Sequence, residues 1–460
     1  MDIHILLKRK HFGNDYLISK MTLKFYIKIS LFFFCSIIVN AQDSSDEVID
    51  EFSYSGEFSL LGIGSSENYV PFWFHTNTNA TADQLTNLSA TASLAGRYTY
   101  KEDVFLEAGI AYYYRDGIIV DDFQRRDLYV QFQNKWLKST LGAKAQDVKV
   151  DGLSATNKNF LWSGDARPLS GLIIEANNPI KINNWLGVDW GIAHYSLNDE
   201  RSVDGARVHY KRLGAHIRLN EKNRFYARIQ HFAQWGGTSE IFGKQEDGFG
   251  GFVDLFVAKQ TGSRSNALGN HLGSYLLDYY LTTAKGTFNF YHEHPFEDGS
   301  GTRLANFPDG VWGIVFSPKN NKFVSKILYE YIDTTDQSGE DGSGKDSYFN
   351  NKVYKSGWYY EGQNIGLPFL IVRINSRVVA HQLGISGKIK NVDLTLKATH
   401  VNSLGTFFEG LDYDENVFYT YAKASYALKR YGKISFLAGY DISTLYDNVL
   451  GAGVEYSIKF

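Results

Sequence analysis

From residue 52 onward, apolar and polar side chains alternate with period two through segment after segment. Val104, Leu106, Ala108, Ile110, Tyr112 and Tyr114 interleave with Phe105, Glu107, Gly109, Ala111, Tyr113 and Arg115. Val392, Leu394, Leu396 and Ala398 interleave in the same way with Asp393, Thr395, Lys397 and Thr399. Period two puts each set on its own face of a strand, so these strands have one apolar side and one wet side. No segment after the N-terminal region reaches 18 uninterrupted apolar residues, which excludes membrane helices. Two all-β solutions remain, a soluble sandwich and a barrel that crosses a membrane with its strands.

The connections separate them. Strands fall near 52–63, 86–101, 104–115, 125–136, 138–146, 170–176, 185–196, 206–219 and 224–235. Nine more fall near 272–283, 286–293, 310–317, 323–333, 378–388, 392–402, 417–428, 433–442 and 448–460. The links at 101–103, 137, 220–223, 284–285, 318–322, 389–391 and 429–432 are short, and between them come long ones at 64–85, 147–169, 236–271, 294–309 and 334–377. A transmembrane barrel requires such an alternation, with short periplasmic turns and long outer loops, and parity holds to the C-terminus although 177–184 is a longish inner turn and 443–447 a shortish outer one. The last strand sets Val454, Tyr456, Ile458 and Phe460 against Glu455, Ser457 and Lys459. An aromatic end of this kind resembles the strand by which insertion machinery recognises outer-membrane barrels. The expected fold is all-β: a transmembrane antiparallel β-barrel of about 18 strands, forming one domain over 52–460.

Secretion is expected as well. Lys24 and Lys28 precede an apolar run over Ile29–Val39, followed by Asn40-Ala41-Gln42. That pattern reads as a signal peptide over 1–41, cut after Ala41, with Met21 a plausible true start and 42–51 a short periplasmic segment. Phe34 before Cys35 is the wrong residue for a lipid anchor. The only cysteine and both methionines lie in this leader, so no thiol is left for catalysis or disulfides. A net charge of −3 gives no electrostatic reason to expect nucleic acid. Aromatics are 15 % of the chain, and a barrel has a use for them in the girdles at its two interfaces.

Parity assigns Arg224, Tyr226, Arg228 and Gln230 to the lumen. A phase change near Arg212, read as a bulge, would turn His216 and Arg218 inward beside them. His216, Arg218, Arg224 and Arg228 then make a basic lumen wall, either an anion contact or part of an ion-pair network with carboxylates such as Glu107, Glu330 and Asp393. His292 and His294 share a strand face near Glu293, Glu297 and Asp298, but two imidazoles without a third ligand do not define a metal site. No nucleophile elbow occurs, and no catalytic residue, metal or cofactor is expected. The outer loops carry aromatics beside amides and acids: Trp235 with Gly236-Gly237, Asn270-His271, and Trp358-Tyr359-Tyr360-Glu361 before Gln363-Asn364. Exposed rings stacking on sugar C–H faces, with amides and acids on the hydroxyls, would make a glycan site. The same rings could instead pack the loops down over the barrel mouth or join the girdle.

Several islands resemble the capsule assembly protein Wzi family. They are Trp162-Ser-Gly-Asp165-Ala-Arg167-Pro168-Leu-Ser-Gly171, Arg228-Ile229 through Gln234-Trp235-Gly236-Gly237, Gly269-Asn270, Phe290-Tyr291 through Glu297-Asp298-Gly-Ser-Gly301, and Tyr354 through Gly362. They lie in family order across most of the chain after the leader. The resemblance implies an 18-stranded outer-membrane barrel that attaches or assembles capsular or other surface polysaccharide as a lectin rather than a catalyst. Its partners would be that polysaccharide, outer-membrane lipid and, during biogenesis, the insertion machinery. The binding surface it implies is Trp162, Asp165, Arg167, Trp235, Asn270, Glu297, Asp298, Trp358, Tyr359, Tyr360 and Glu361. Family members can carry a helical segment ahead of the barrel, and only about ten residues, from Gln42 to Glu51, are expected there. Two other functions compete with this expectation: a general diffusion porin, and an outer-membrane hydrolase using His292, His294 and Asp298.

Overall fold

A computed structural model describes residues 50–117, 122–258, 268–338, 347–407 and 415–460. The expected leader and the start of the 42–51 segment lie outside the described residues. The barrel strands are β1 (Glu51–Ser65), β2 (Leu88–Lys101), β3 (Val104–Arg115), β4 (Phe123–Gln133), β5 (Leu137–Ala143) and β6 (Ser170–Ala176). Then come β7 (Leu186–Ser196), β8 (Arg207–Arg218), β9 (Asn223–Trp235), β10 (Asn270–Thr282), β11 (Gly286–Phe296) and β12 (Gly310–Pro318). The last six are β13 (Val324–Asp333), β14 (Val378–Ile389), β15 (Val392–Ser403), β16 (Glu415–Ala427), β17 (Lys433–Ser443) and β18 (Val449–Lys459). Each strand pairs antiparallel with the next, and β18 returns to β1 in register from Glu57↔Lys459 to Ser65↔Gly451. The sheet is therefore closed, which leaves no backbone edge to face lipid.

Alternation sorts the two faces as expected. In β3, Leu106, Ile110, Tyr112 and Tyr114 are exposed on the outer wall, whereas Glu107, Ala111, Tyr113 and Arg115 are buried in the lumen. Exposed Phe52, Tyr54, Trp136, Trp185, Phe323 and Tyr431 gather at the periplasmic ends and turns. Tyr112, Tyr114, Phe123, Trp312 and Tyr440 stand on the outward face nearer the mouth. These are the two girdles of a membrane barrel. Among the described residues no helix is long and apolar enough to cross a membrane. The chain is an outer-membrane β-barrel by its closed sheet, apolar outer belt and asymmetric ends.

One local expectation is corrected. β8 keeps unbroken register with β7 and β9 from end to end, so there is no bulge at Arg212. Tyr210, Arg212 and His216 all face inward on one parity. The polar residues that disturb the pattern, His209 and Lys211, face outward under a short helix, α2 (Phe249–Phe256). Phe252 packs edge-on to His209, and Phe256 accepts a hydrogen bond from Lys211 Nζ on its carbonyl. A covered outer face tolerates polar side chains that lipid would not.

Candidate functional site: the loop plug at the outer mouth

The outer loops fold into the barrel. The segment after β5 descends into the lumen, where its lowest turn, Val150–Gly152, brings Asp151 against Lys326 and Ser386 near the periplasmic ends of β13 and β14. It is tied to the wall by buried polar groups. Glu330 accepts from Ser154 Oγ (2.6 Å) and the Ala155 amide (2.8 Å), and Glu293 accepts from the Phe160 amide (2.9 Å). Lys158 donates to Asp278 (2.7 Å) and Asn289 (2.8 Å), and Asn159 and Gln230 bond to each other. Buried charges persist where they are paired and hydrogen-bonded like this. Gly384 on β14 makes room for the descent, since a Cβ there would lie 2.8 Å from the Cβ of Leu153.

Above this segment lies the loop between β13 and β14. Trp358 Nε1 donates to Leu161 O (2.6 Å), the Leu367 amide to Phe160 O (2.9 Å) and Ser163 Oγ to Gly366 O (2.7 Å). Phe160, Leu161, Phe349, Trp358, Tyr360 and Leu367 are buried in one cluster with wall residues Phe232, Leu272, Leu328 and Val378. Gly357 (φ 66°) allows the turn into Trp358, because any Cβ there would come within 2.5 Å of Phe349 O. The loop between β1 and β2 closes a further side through a single-turn helix, α1 (Phe72–His75), whose Trp73 Nε1 donates to Thr399 Oγ1 (2.8 Å).

Most of the residues expected to bind glycan meet in this plug. Arg167 pairs with Glu361 and donates to Tyr360 OH (3.2 Å), while Asp165 accepts from the Asn77 amide (2.8 Å). Burial pushes the Asp165 carboxyl up to about 7. Asn270 donates to Gln234 (2.8 Å) and accepts from Asn351 (3.0 Å), and Glu297 accepts from the Phe349 amide (2.6 Å). Trp162 packs edge-on to Tyr195, and Tyr359 OH donates to Leu370 O. The expectation that these rings stand exposed is corrected for Trp358 and Tyr360, which are fully enclosed. Trp162, Tyr359 and Glu361 keep partial exposure. Trp235 lies elsewhere, on the outer wall beneath α2 with the Arg207 guanidinium 4.7 Å over its ring. Asp298 is spent on a rim turn, accepting from the Ser300 and Gly301 amides (2.7 and 2.9 Å).

The basic wall forms with different partners. Arg218 and Arg224 are direct cross-strand partners, Arg224 lies over Tyr280, and His216 bonds Asp189 (2.5 Å). Arg212 pairs with Asp189 and Glu175, while Nε and Nη2 of Arg228 find no acceptor among the described residues. The named carboxylates serve other groups: Glu107 takes Arg97 and Lys144, Glu330 takes the descending segment, and Asp393 takes Lys388 at the periplasmic rim. His292 and His294 face outward, the first stacked on Trp312 at 3.6 Å and the second bonded to Asp309 O, away from Asp298. Among the described residues no group of three or more His, Cys, Asp or Glu side chains could hold a metal ion. The anchors Lys158, Asn159, Glu293 and Gln230 were not singled out as a site. Their signal is Leu153, Phe160 and Leu161, apolar residues misplaced in a solvent loop but natural in a lumen.

No protein-family model matches this chain, and no curated protein matches it. Solved structures do match over nearly its whole length. Pseudomonas aeruginosa OprD is 8% identical with a TM-score of 0.48, the match covering 91% of this chain and 99% of that one. Acinetobacter baumannii OccAB4 is 10% identical at a TM-score of 0.48, covering 91% of this chain and 100% of that one. OmpT, an outer membrane protein of Vibrio cholerae, is 8% identical at 0.40, with 90% and 100% covered. The membership of this chain in the outer-membrane β-barrel class rests on its own closed 18-stranded sheet.

Proposed function

We propose that this barrel is a non-catalytic binding protein for capsular or other surface polysaccharide, acting at its outer mouth. The observation that carries the reading is the convergence of the sequence islands resembling the Wzi family. Segments 162–171, 228–237, 269–270 and 354–362 are far apart in sequence, yet hydrogen bonds join them, part as loop and part as barrel wall, and Gln230 of the second donates to Glu293 of segment 290–301. The plug leaves Trp162 and Tyr359 partly open as ring contacts for a glycan, with the Arg167–Glu361 pair beside them.

A general diffusion porin is the second reading, favoured by the barrel size and the charged lumen wall. Against it stands the descending segment, which carries part of a buried apolar cluster into the lumen. A hydrolase using His292, His294 and Asp298 has no support, because these side chains do not converge. The test is genetic. Deleting the gene should release the surface polysaccharide into the medium, and the intact barrel gene should restore retention. Unchanged retention in the deletion strain would end the proposal.

A further inference from the structure

Lys397, on β15, points into the lumen with its Nζ 4.1 Å from the ring centroid of Trp73 and 5.6 Å from that of Tyr421. Lys144, Lys158, Lys326 and Lys423 each have a carboxylate within ion-pair distance, and Lys397 has none among the described residues. The carboxylate whose charge it feels is Glu330, and that group is occupied by Ser154, Ala155 and Tyr291. Two ring faces stabilise a cation by about 0.5–2 kcal/mol each, and the half-buried Lys397 ammonium keeps a side open to the space beside it. An anion would add to that stabilisation.

Room for one lies beside it. Lys397 lines a cavity of about 310 Å³ between the loop of α1, the descending segment and the wall of β15–β18. That is at the small end of ligand sites, which run from about 300 to 1,000 Å³. Asn77, Asn157, Ser163 and Gln146 supply polar walls, and Trp73 and Tyr421 supply aromatic ones. Asn77 donates through Nδ2 to Ala155 O (2.8 Å), while its buried Oδ1 has no donor among the described residues. The cavity extends to the Lys423–Glu455 pair in the periplasmic half of the barrel. We infer that this cavity is a binding site for a hydroxylated oxyanion, an acidic sugar bearing a carboxylate or a phosphate. Lys397 holds the charge, the polar walls at Gln146, Asn157 and Ser163 meet hydroxyls, and the rings cover C–H faces. The identity of the ligand as part of a surface polymer rests on the function proposed above; the site itself does not.

The test is titration calorimetry on the full barrel purified in detergent, with digalacturonate, glucose 6-phosphate, inorganic phosphate and maltose as probes. Expected is binding of digalacturonate or glucose 6-phosphate at least ten-fold tighter than maltose. Preference for one acid over the other, or for inorganic phosphate, tells carboxylate from phosphate. Lys397→Met should lower acid binding to the maltose level, and Lys397→Arg should restore most of it. Heat-modifiable migration in gels confirms that both variants are folded. Absence of binding by every acidic probe, or equal binding by wild type and Lys397→Met, would overturn the site. If the acids bind through Lys397 but the deletion strain keeps its polysaccharide, the site stands and the glycan-retention reading falls.

Discussion

At the scale of single residues, Trp358 shows how a loop aromatic misleads. Its neighbours Tyr359, Tyr360 and Glu361 are the composition of an exposed sugar platform, but the indole is buried and bonded to Leu161 O. Sequence cannot distinguish the two because the deciding partner is about 200 residues away. Trp358→Ala should remove about 3–5 kcal/mol of packing from the plug. The expected result is new trypsin cleavage within 347–377, with the barrel itself still heat-modifiable. Asp309 makes a second case. Buried, with the amides of Asp336 and Gln337 and Tyr348 OH on its oxygens, its carboxyl is pushed up to about 7 from an ordinary 3.8, chiefly by desolvation. The folded loop then holds the proton that the open loop releases. Its stabilising effect is complete below pH 3.8 and is lost as pH rises through about 7. Hydrogen exchange at Asp336 and Gln337, corrected for intrinsic rate, should show more protection at pH 5 than at pH 8. Asp309→Asn should flatten that difference.

The elements were legible to very different degrees. All eighteen strands stand where alternation puts them, with no end displaced by more than three residues. Period two is enforced at every position by water or protein on one side and lipid on the other, so it survives in the sequence. The β8 phase was misread because α2 shields the outer face there. Phe252, Leu255 and Phe256 are spaced to cover one side of a helix, and that signal was present. Phe252→Asp should detach the helix. A cysteine placed at Lys211 would then react with a maleimide far faster than it does beneath native α2. The descending segment was read as an outer loop of the right length on the right side, but its direction was not. Lys158, Asn159 and Phe160 find their partners on β9, β10 and β11, and only the closed barrel brings those strands around it. Replacing 145–168 with a short Gly/Ser linker should leave a folded barrel whose conductance rises well above wild type.

Across the whole molecule, closure and filling are two separate achievements. The sheet closes because β1 and β18 pair, and that follows from lipid forbidding an open edge. The filling follows from loops carrying apolar clusters that the lumen wall is shaped to receive, from Leu153 against Gly384 to Trp358 against Phe232. A diffusion pore of this strand count keeps its lumen wet, whereas here one buried cluster joins the wall to four outer loops. The most direct measurement is planar-bilayer conductance of the purified wild-type barrel. A plugged barrel gives little or no steady current, with rare small openings at most. Stable, stepwise channels of general-porin size would contradict the plug and return the molecule to a diffusion role.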